Sequence, residues 1–290
     1  MPRPREDELT WIFGSSRSGS TWLERMLAEH PEVRVLDETG IGHHLGVWRP
    51  IPLAWATAED GPPPLTTFAE VKRGNEDYLF GDRFRAETDR LLRDFLLERI
   101  GLQHEDGRRT VVKEPGGSQV ADWIMRLMPG SGLVFLLRDG RDVVDSWLDA
   151  SQPGGWHLAD GGYAVAPEGR LAFLRWQAAV WLFRTEAVQR AYAAHDPDRR
   201  VLVRYEDLLA DPGAELARVQ RVVGVRPEHE FVGAAVQRHA YSALGEAERG
   251  RGRFVRAASP GGWRENLTAE EQAALHEVLG AKLRELGYAD

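Results

Sequence analysis

The sequence predicts an α/β fold with a mainly parallel central sheet and helices on both faces. Three observations lead there. Short apolar runs of strand length recur at Trp11–Phe13, Val33–Leu36, Thr110–Lys113, Gly132–Leu137 and Arg200–Arg204. Longer segments of helical periodicity separate them. Most runs end in a polar or glycine-containing turn that leads into a helix, the signature of strands joined by helical crossovers.

Composition sets the outer limits. The chain has 290 residues, of which 42% are hydrophobic and 28% charged, with a net charge of −8. That is enough chain for one large or two small domains, and it is read here as a single domain over residues 1–290. The negative balance argues against a general nucleic-acid binder. There is no cysteine, which excludes disulfides, thiolate catalysis and cysteine metal sites. No apolar run reaches membrane-spanning length, and the opening MPRPREDELT carries no apolar leader. A cytoplasmic protein is expected, with no membrane and no nucleic acid among its partners.

The first element is the most informative. Trp11-Ile12-Phe13 runs into the small-residue loop Gly14-Ser15-Ser16-Arg17-Ser18-Gly19-Ser20, and a helix follows with Trp22, Leu23, Met26 and Leu27 on one side. Strand, small loop, helix is the geometry that receives a phosphate at a helix N-terminus. The glycine spacing of a P-loop is present, but Ser20 stands where that motif needs lysine. The loop is therefore P-loop-like in a three-layer α/β fold, with its cation at Arg17. A serine/glycine turn capping an ordinary helix is the plainer reading.

Val33–Leu36 is the second strand and ends at Asp37-Glu38-Thr39, either a helix cap or carboxylates at the sheet edge where such folds place their chemistry. Gly40 to Gly81 is irregular, with Pro50, Pro52 and Pro62-Pro63-Pro64 preventing long helices. Its aromatics Trp48, Trp55, Phe68, Tyr78 and Phe80 suit a substrate wall, and His43 and His44 are read as surface residues. A helix is predicted over Arg83–Ile100. Thr110–Lys113 then ends on a lysine in the turn Glu114-Pro115-Gly116-Gly117, followed by a helix over about Val120–Met128. Gly132–Leu137 runs into Arg138-Asp139-Gly140-Arg141-Asp142 and a helix bearing Ser146, on which an Arg141–Asp145 pair is expected. Ser151–Pro167 is a glycine-rich loop on the substrate side. Arg170–Ala194 is the longest helix. After Arg200–Arg204 come helices over about Pro212–Val223 and Glu228–Gln237. Arg249, Arg251, Arg253 and Arg256 form a basic run, either solvated or an anion clamp. The last helix, about Ala269–Leu286, is capped by Thr268 with Glu271 three residues on.

Three of these segments, in this order, resemble the sulfotransferases that use 3′-phosphoadenosine 5′-phosphosulfate (PAPS). Ser16-Arg17-Ser18-Gly19-Ser20-Thr21-Trp22 is similar to the family's 5′-phosphosulfate loop, with serine at Ser16 where proline is usual. LVFLLRDGRDVVDSW is similar to its 3′-phosphate element and supplies Arg138 and Ser146. FVRAASPGGWRENLT resembles its C-terminal cofactor segment, matching at Arg256, Gly261 and Trp263. Ala257-Ala258 replace the usual Lys-Gly there, and Gly262 the aspartate. VLVRYEDLLADP resembles the segment after the fourth strand and adds Tyr205.

The resemblance implies a sulfuryl-transfer enzyme. PAPS would be held by Arg17, Ser18, Gly19, Ser20, Thr21, Trp22, Arg138, Ser146, Tyr205, Arg256, Gly261 and Trp263, without a metal. It implies Lys113 at the bridging oxygen and Arg17 at the sulfuryl group as catalytic residues. The histidine that many members carry two residues after the strand lysine is Pro115 here. AEHPEVRVLDETG is instead similar to the tyrosylprotein sulfotransferase layout, which makes Glu38 the base, with Asp37 and Glu114 as alternatives. The expected acceptor is a small-molecule hydroxyl; a tyrosyl peptide or carbohydrate stays open, as does a homodimer. A nucleoside-triphosphate enzyme and a non-catalytic nucleotide-binding module are the rival classes.

Overall fold

The computed structural model describes residues 3–42, 83–104 and 107–288. The five predicted strands form one sheet: β1 is Leu9–Phe13, β2 Val33–Asp37, β3 Arg109–Lys113, β4 Gly132–Leu137 and β5 Arg200–Arg204. The order is β2-β3-β1-β4-β5 and every pairing is parallel. β1 lies in the middle because all five of its residues are buried, as a strand covered on both faces requires. The edge strand β5 alternates buried and half-buried residues instead.

Parallel neighbours need crossover connections, and helices supply them. α1 (Ser20–Ala28) follows β1, α2 (Arg85–Gly101) precedes β3, and α3 (Ala121–Leu127) lies between β3 and β4. α4 (Gly140–Ala150), α5 (Trp156–Ala159) and α6 (Arg170–Ala194) lead to β5. α7 (Tyr205–Ala210), α8 (Pro212–Val223), α9 (His229–Arg238), α10 (Trp263–Asn266) and α11 (Ala269–Glu285) complete the described helices.

By contacts the chain divides into two compact units. Among the described residues, one holds 3–42, 83–104, 107–137 and 184–239, and so the whole sheet. The other holds 138–183 and 240–288. In the sheet unit, one face carries Ile12, Val111, Val134, Leu136 and Val203, packed against Leu23, Met26 and Leu27 of α1, Leu208 of α7 and Leu216 and Val219 of α8. Strand alternation turns Trp11 and Phe13 to the other face, where their rings stack with centroids 5.7 Å apart.

Three segments differ from the sequence reading. The Ser151–Pro167 loop contains α5, because Trp156 and His157 pack with Trp147, Tyr163 and Phe254 in an aromatic cluster. The residues after β5 form α7, which buries Tyr205 and Leu208. The turn after β3 is a 3₁₀ helix, Pro115–Val120. The aromatics Trp48, Trp55, Phe68, Tyr78 and Phe80, with His43 and His44, lie outside the described residues.

Candidate active site

The loop after β1 is shaped by two glycines. A Cβ on Gly14 would lie 2.0 Å from the Leu136 carbonyl oxygen, so the chain can leave β1 this close to β4 only as glycine. The Ser118 hydroxyl pins the spot, accepting from the Gly14 N–H at 2.9 Å and donating to the Gly14 carbonyl at 2.7 Å. Gly19, at φ 91°, is the N-cap of α1. A Cβ there would come within 2.6 Å of the Tyr205 ring, which stands edge-on to Trp22. Tyr205 thus backs the loop from inside the fold. Arg17 takes a positive φ of 72°. Ser18 is 1% exposed, and its hydroxyl has no hydrogen-bond partner among the described residues. A buried, unpartnered hydroxyl at a helix N-terminus fits an anionic oxygen acceptor.

Lys113 ends β3, opposite Ile12 of β1 and Asp37 of β2. Its ammonium lies 2.5 Å from Asp37 Oδ1, 2.9 Å from Glu24 Oε2 and 3.5 Å from Glu38 Oε1. It also donates to Thr21 Oγ1 at 3.2 Å, which ties the strand end to the loop helix. Burial pulls this lysine down, but hydrogen bonds and charge from Asp37 and Glu24 outweigh it and hold it above its ordinary value.

The three candidate bases are placed differently. The Glu38 backbone N–H donates to the Lys113 carbonyl at 2.9 Å. Its φ is 38° and its side chain is 58% exposed. Asp37 is engaged directly with Lys113. Glu114 is buried and accepts from the Thr39 hydroxyl at 2.6 Å, and burial pushes its carboxyl up.

Arg184 on α6 was not singled out from sequence. Its guanidinium donates to the Gly116 carbonyl at 2.9 Å and to Gln119 Oε1 and Ser16 Oγ at 3.3 Å each. It therefore braces the loop at Ser16 against the turn after β3. Burial lowers it to about 10, opposed by the charges of Glu38 and Glu114. The available signal was a lone arginine inside the apolar run AVWLF-R-TEA.

In the second unit, the face of α4 that carries Asp142, Asp145 and Asp149 organises the late arginine segment. Asp142 accepts from the backbone N–H of Gly261 at 2.7 Å and of Trp263 at 3.4 Å. Asp145 pairs with Arg256 and accepts from Asn266 at 2.9 Å. Asp149 accepts from the Gly252 N–H at 2.9 Å. Burial disfavours the charge on Arg256, but the Asp145 carboxylate outweighs it and holds the guanidinium protonated. Arg141, expected to pair with Asp145, is held by Asp139 at 2.8 Å, and its guanidinium lies 4.3 Å from the Trp263 ring. Asp139 is also the N-cap of α4, and its Oδ1 accepts from the Arg141 N–H at 2.8 Å. Arg138 and Ser146 are buried. Arg249 donates to the Tyr241 carbonyl and Arg251 to Asn266, while Arg253 is exposed.

No cluster of three or more metal-ligating side chains occurs among the described residues, and none of their helices is long and apolar enough to cross a membrane.

The chain is also similar to known proteins. The model of the sulfotransferase family matches residues 10–229. A putative protein-tyrosine sulfotransferase of Caenorhabditis briggsae is 24% identical over 79% of this chain and 72% of its own length. Protein-tyrosine sulfotransferase 2 of Gallus gallus is 30% identical over 50% of this chain and 34% of its own length. Among solved structures, a mouse sulfotransferase complexed with PAP is similar at a TM-score of 0.57 and 13% identity, over 98% of this chain and 88% of that one. A sulfotransferase of Mycobacterium avium has a TM-score of 0.55 at 17% identity, over 100% of this chain and 78% of that one.

Proposed function

The chain belongs to the sulfotransferase family and is an enzyme of that activity, and on this premise we propose that it moves the sulfuryl group of PAPS to the hydroxyl of a small-molecule acceptor. The observation that carries the reading is the meeting of Lys113, Glu38 and Thr21. A buried cation, an exposed carboxylate and the first turn of the loop helix converge at the carboxyl ends of β2, β3 and β1, where open parallel sheets bind their ligands. The unpartnered Ser18 hydroxyl supports an anion at the loop.

PAPS supplies the sulfuryl group when bound. The loop N–H groups, Arg17, Ser18, Ser20 and Thr21 hold its 5′ end. Lys113 neutralises the charge that grows on the leaving oxygen, and Glu38 takes the proton of the attacking hydroxyl. The 58% exposed Glu38 can meet an incoming acceptor, which favours it over the buried Glu114. Arg138, Ser146 and Arg256 hold the 3′-phosphate, with Gly261 and Trp263 shaping the segment that carries Arg256. A tyrosyl peptide is the second reading for the acceptor, favoured by the names of the relatives in worm and chicken.

Calorimetric titration with adenosine 3′,5′-bisphosphate, without metal, tests the cofactor. Binding of the bisphosphate but not of AMP or ATP is expected. A preference for ATP with magnesium would return the loop to the nucleoside-triphosphate class.

A further inference from the structure

Lys113 stands where a charge is hard to keep. Its side chain is 2% exposed, and burial of this kind drives an ammonium toward its neutral form. The groups that face it come from two elements, the end of β2 and α1. Asp37 and Glu38, at the end of β2, are both 58% exposed, so water and salt screen them. Thr21 on α1 offers a neutral hydroxyl oxygen.

Glu24 is different. It lies on α1 one turn beyond Ser20, its side chain is 14% exposed, and its carboxylate is 2.9 Å from the ammonium. Burial pushes the Glu24 carboxyl up and the charge of Asp37 adds to that push; Lys113 opposes both, and the net direction is up. Arg25, the next residue on α1, is exposed and acts on it more weakly. Glu24 is therefore the least exposed of the three carboxylates within 4 Å of the Lys113 ammonium among the described residues.

We propose that Glu24 is a positioning residue: the mostly covered counter-charge that keeps Lys113 an ammonium and holds it beside Thr21. Asp37 is the secondary partner, close to the ammonium but exposed to solvent. The functional weight of the inference rests on the role given to Lys113 above.

The chain has three lysines, Lys72, Lys113 and Lys282, so lysine labelled with ¹³C at Cε gives three NMR signals, and Lys113→Arg assigns the one of interest. Its pH titration is read in the wild type, Glu24→Gln, Glu24→Asp and Asp37→Asn. Glu24→Gln should lower the Lys113 midpoint by about one pH unit or more, Asp37→Asn by less, and Glu24→Asp should recover part of the loss. An unmoved midpoint in Glu24→Gln, a larger fall in Asp37→Asn, or a Glu24→Asp variant as low as Glu24→Gln would each overturn the proposal. The donor-site reading is separable. A Lys113 signal that ignores added adenosine 3′,5′-bisphosphate would count against that reading, while the titrations would still decide the role of Glu24.

Discussion

Arg17, Glu38 and Ala258 have positive φ values of 72°, 38° and 46°, the only non-glycine residues to do so among those described. Such a conformation costs on the order of 1–3 kcal/mol and survives where the surroundings enforce it. At Glu38 the enforcing contact is the hydrogen bond from its own N–H to the Lys113 carbonyl. Glu38→Gly should therefore raise thermal stability, by about 1 kcal/mol, while lowering sulfuryl transfer on the order of 10²-fold. Melting curves and turnover with labelled PAPS check the pair of effects. A glycine variant that melts lower yet keeps its turnover would remove Glu38 from the role of base. The local strand–loop–helix motif around Arg17 to Trp22, proposed above to hold the donor, was legible in the sequence. Glu24, Ser118 and Arg184 were not. Each meets a partner brought in by sheet register or helix packing, as Glu24 meets Lys113 and Ser118 meets Gly14, and single-sequence spacing does not contain that information.

The elements themselves were more legible than their partners. All five strands lie where apolar runs predicted them, three of them with one end shifted by one or two residues, since burial patterns mark strand centres better than strand ends. The short helices α5 and α7 escaped because helices this short are stabilised by packing rather than by their own sequence. The predicted cap of α11 is present: the Glu271 N–H donates to Thr268 Oγ1, the Thr268 N–H donates to Glu271 Oε2, and Arg170 pairs with Glu271 at 2.8 Å. Burial raises the Glu271 carboxyl, but Arg170 and the cap outweigh it, so its net direction is down. A lowered carboxyl stabilises the fold above its unfolded value, about 4.3, and that contribution is lost as pH falls through the folded value. Glu271→Gln should thus cost about 1 kcal/mol at pH 7, with wild type and variant converging below pH 4 in melting curves. A gap that stays constant across that range would show that the charge of Glu271 contributes nothing.

At the scale of the molecule, a net charge of −8 means that an anionic ligand is attracted by local groups rather than by the overall field. Binding to the folded state alone raises stability by mass action. Adenosine 3′,5′-bisphosphate at a hundred times its Kd should add about 2.7 kcal/mol, read as a rise in melting temperature that AMP at the same concentration does not produce. An equal rise with AMP would mean that Arg138, Ser146 and Arg256 do not select the 3′-phosphate. The sheet order has a consequence of another kind, for synthesis on the ribosome. The central strand β1 is made first, but its neighbours are β3 and β4, beginning with Leu9 against Thr110 and Thr10 against Gly132. About a hundred residues must be translated before either neighbour exists, which takes roughly 5–20 s at ordinary elongation rates. Throughout that interval the nascent Leu-Thr-Trp-Ile-Phe segment has no native strand to pair with, so a chaperone that binds short apolar segments should crosslink to ribosome-bound chains that stop before residue 109 and release those that extend well past residue 137.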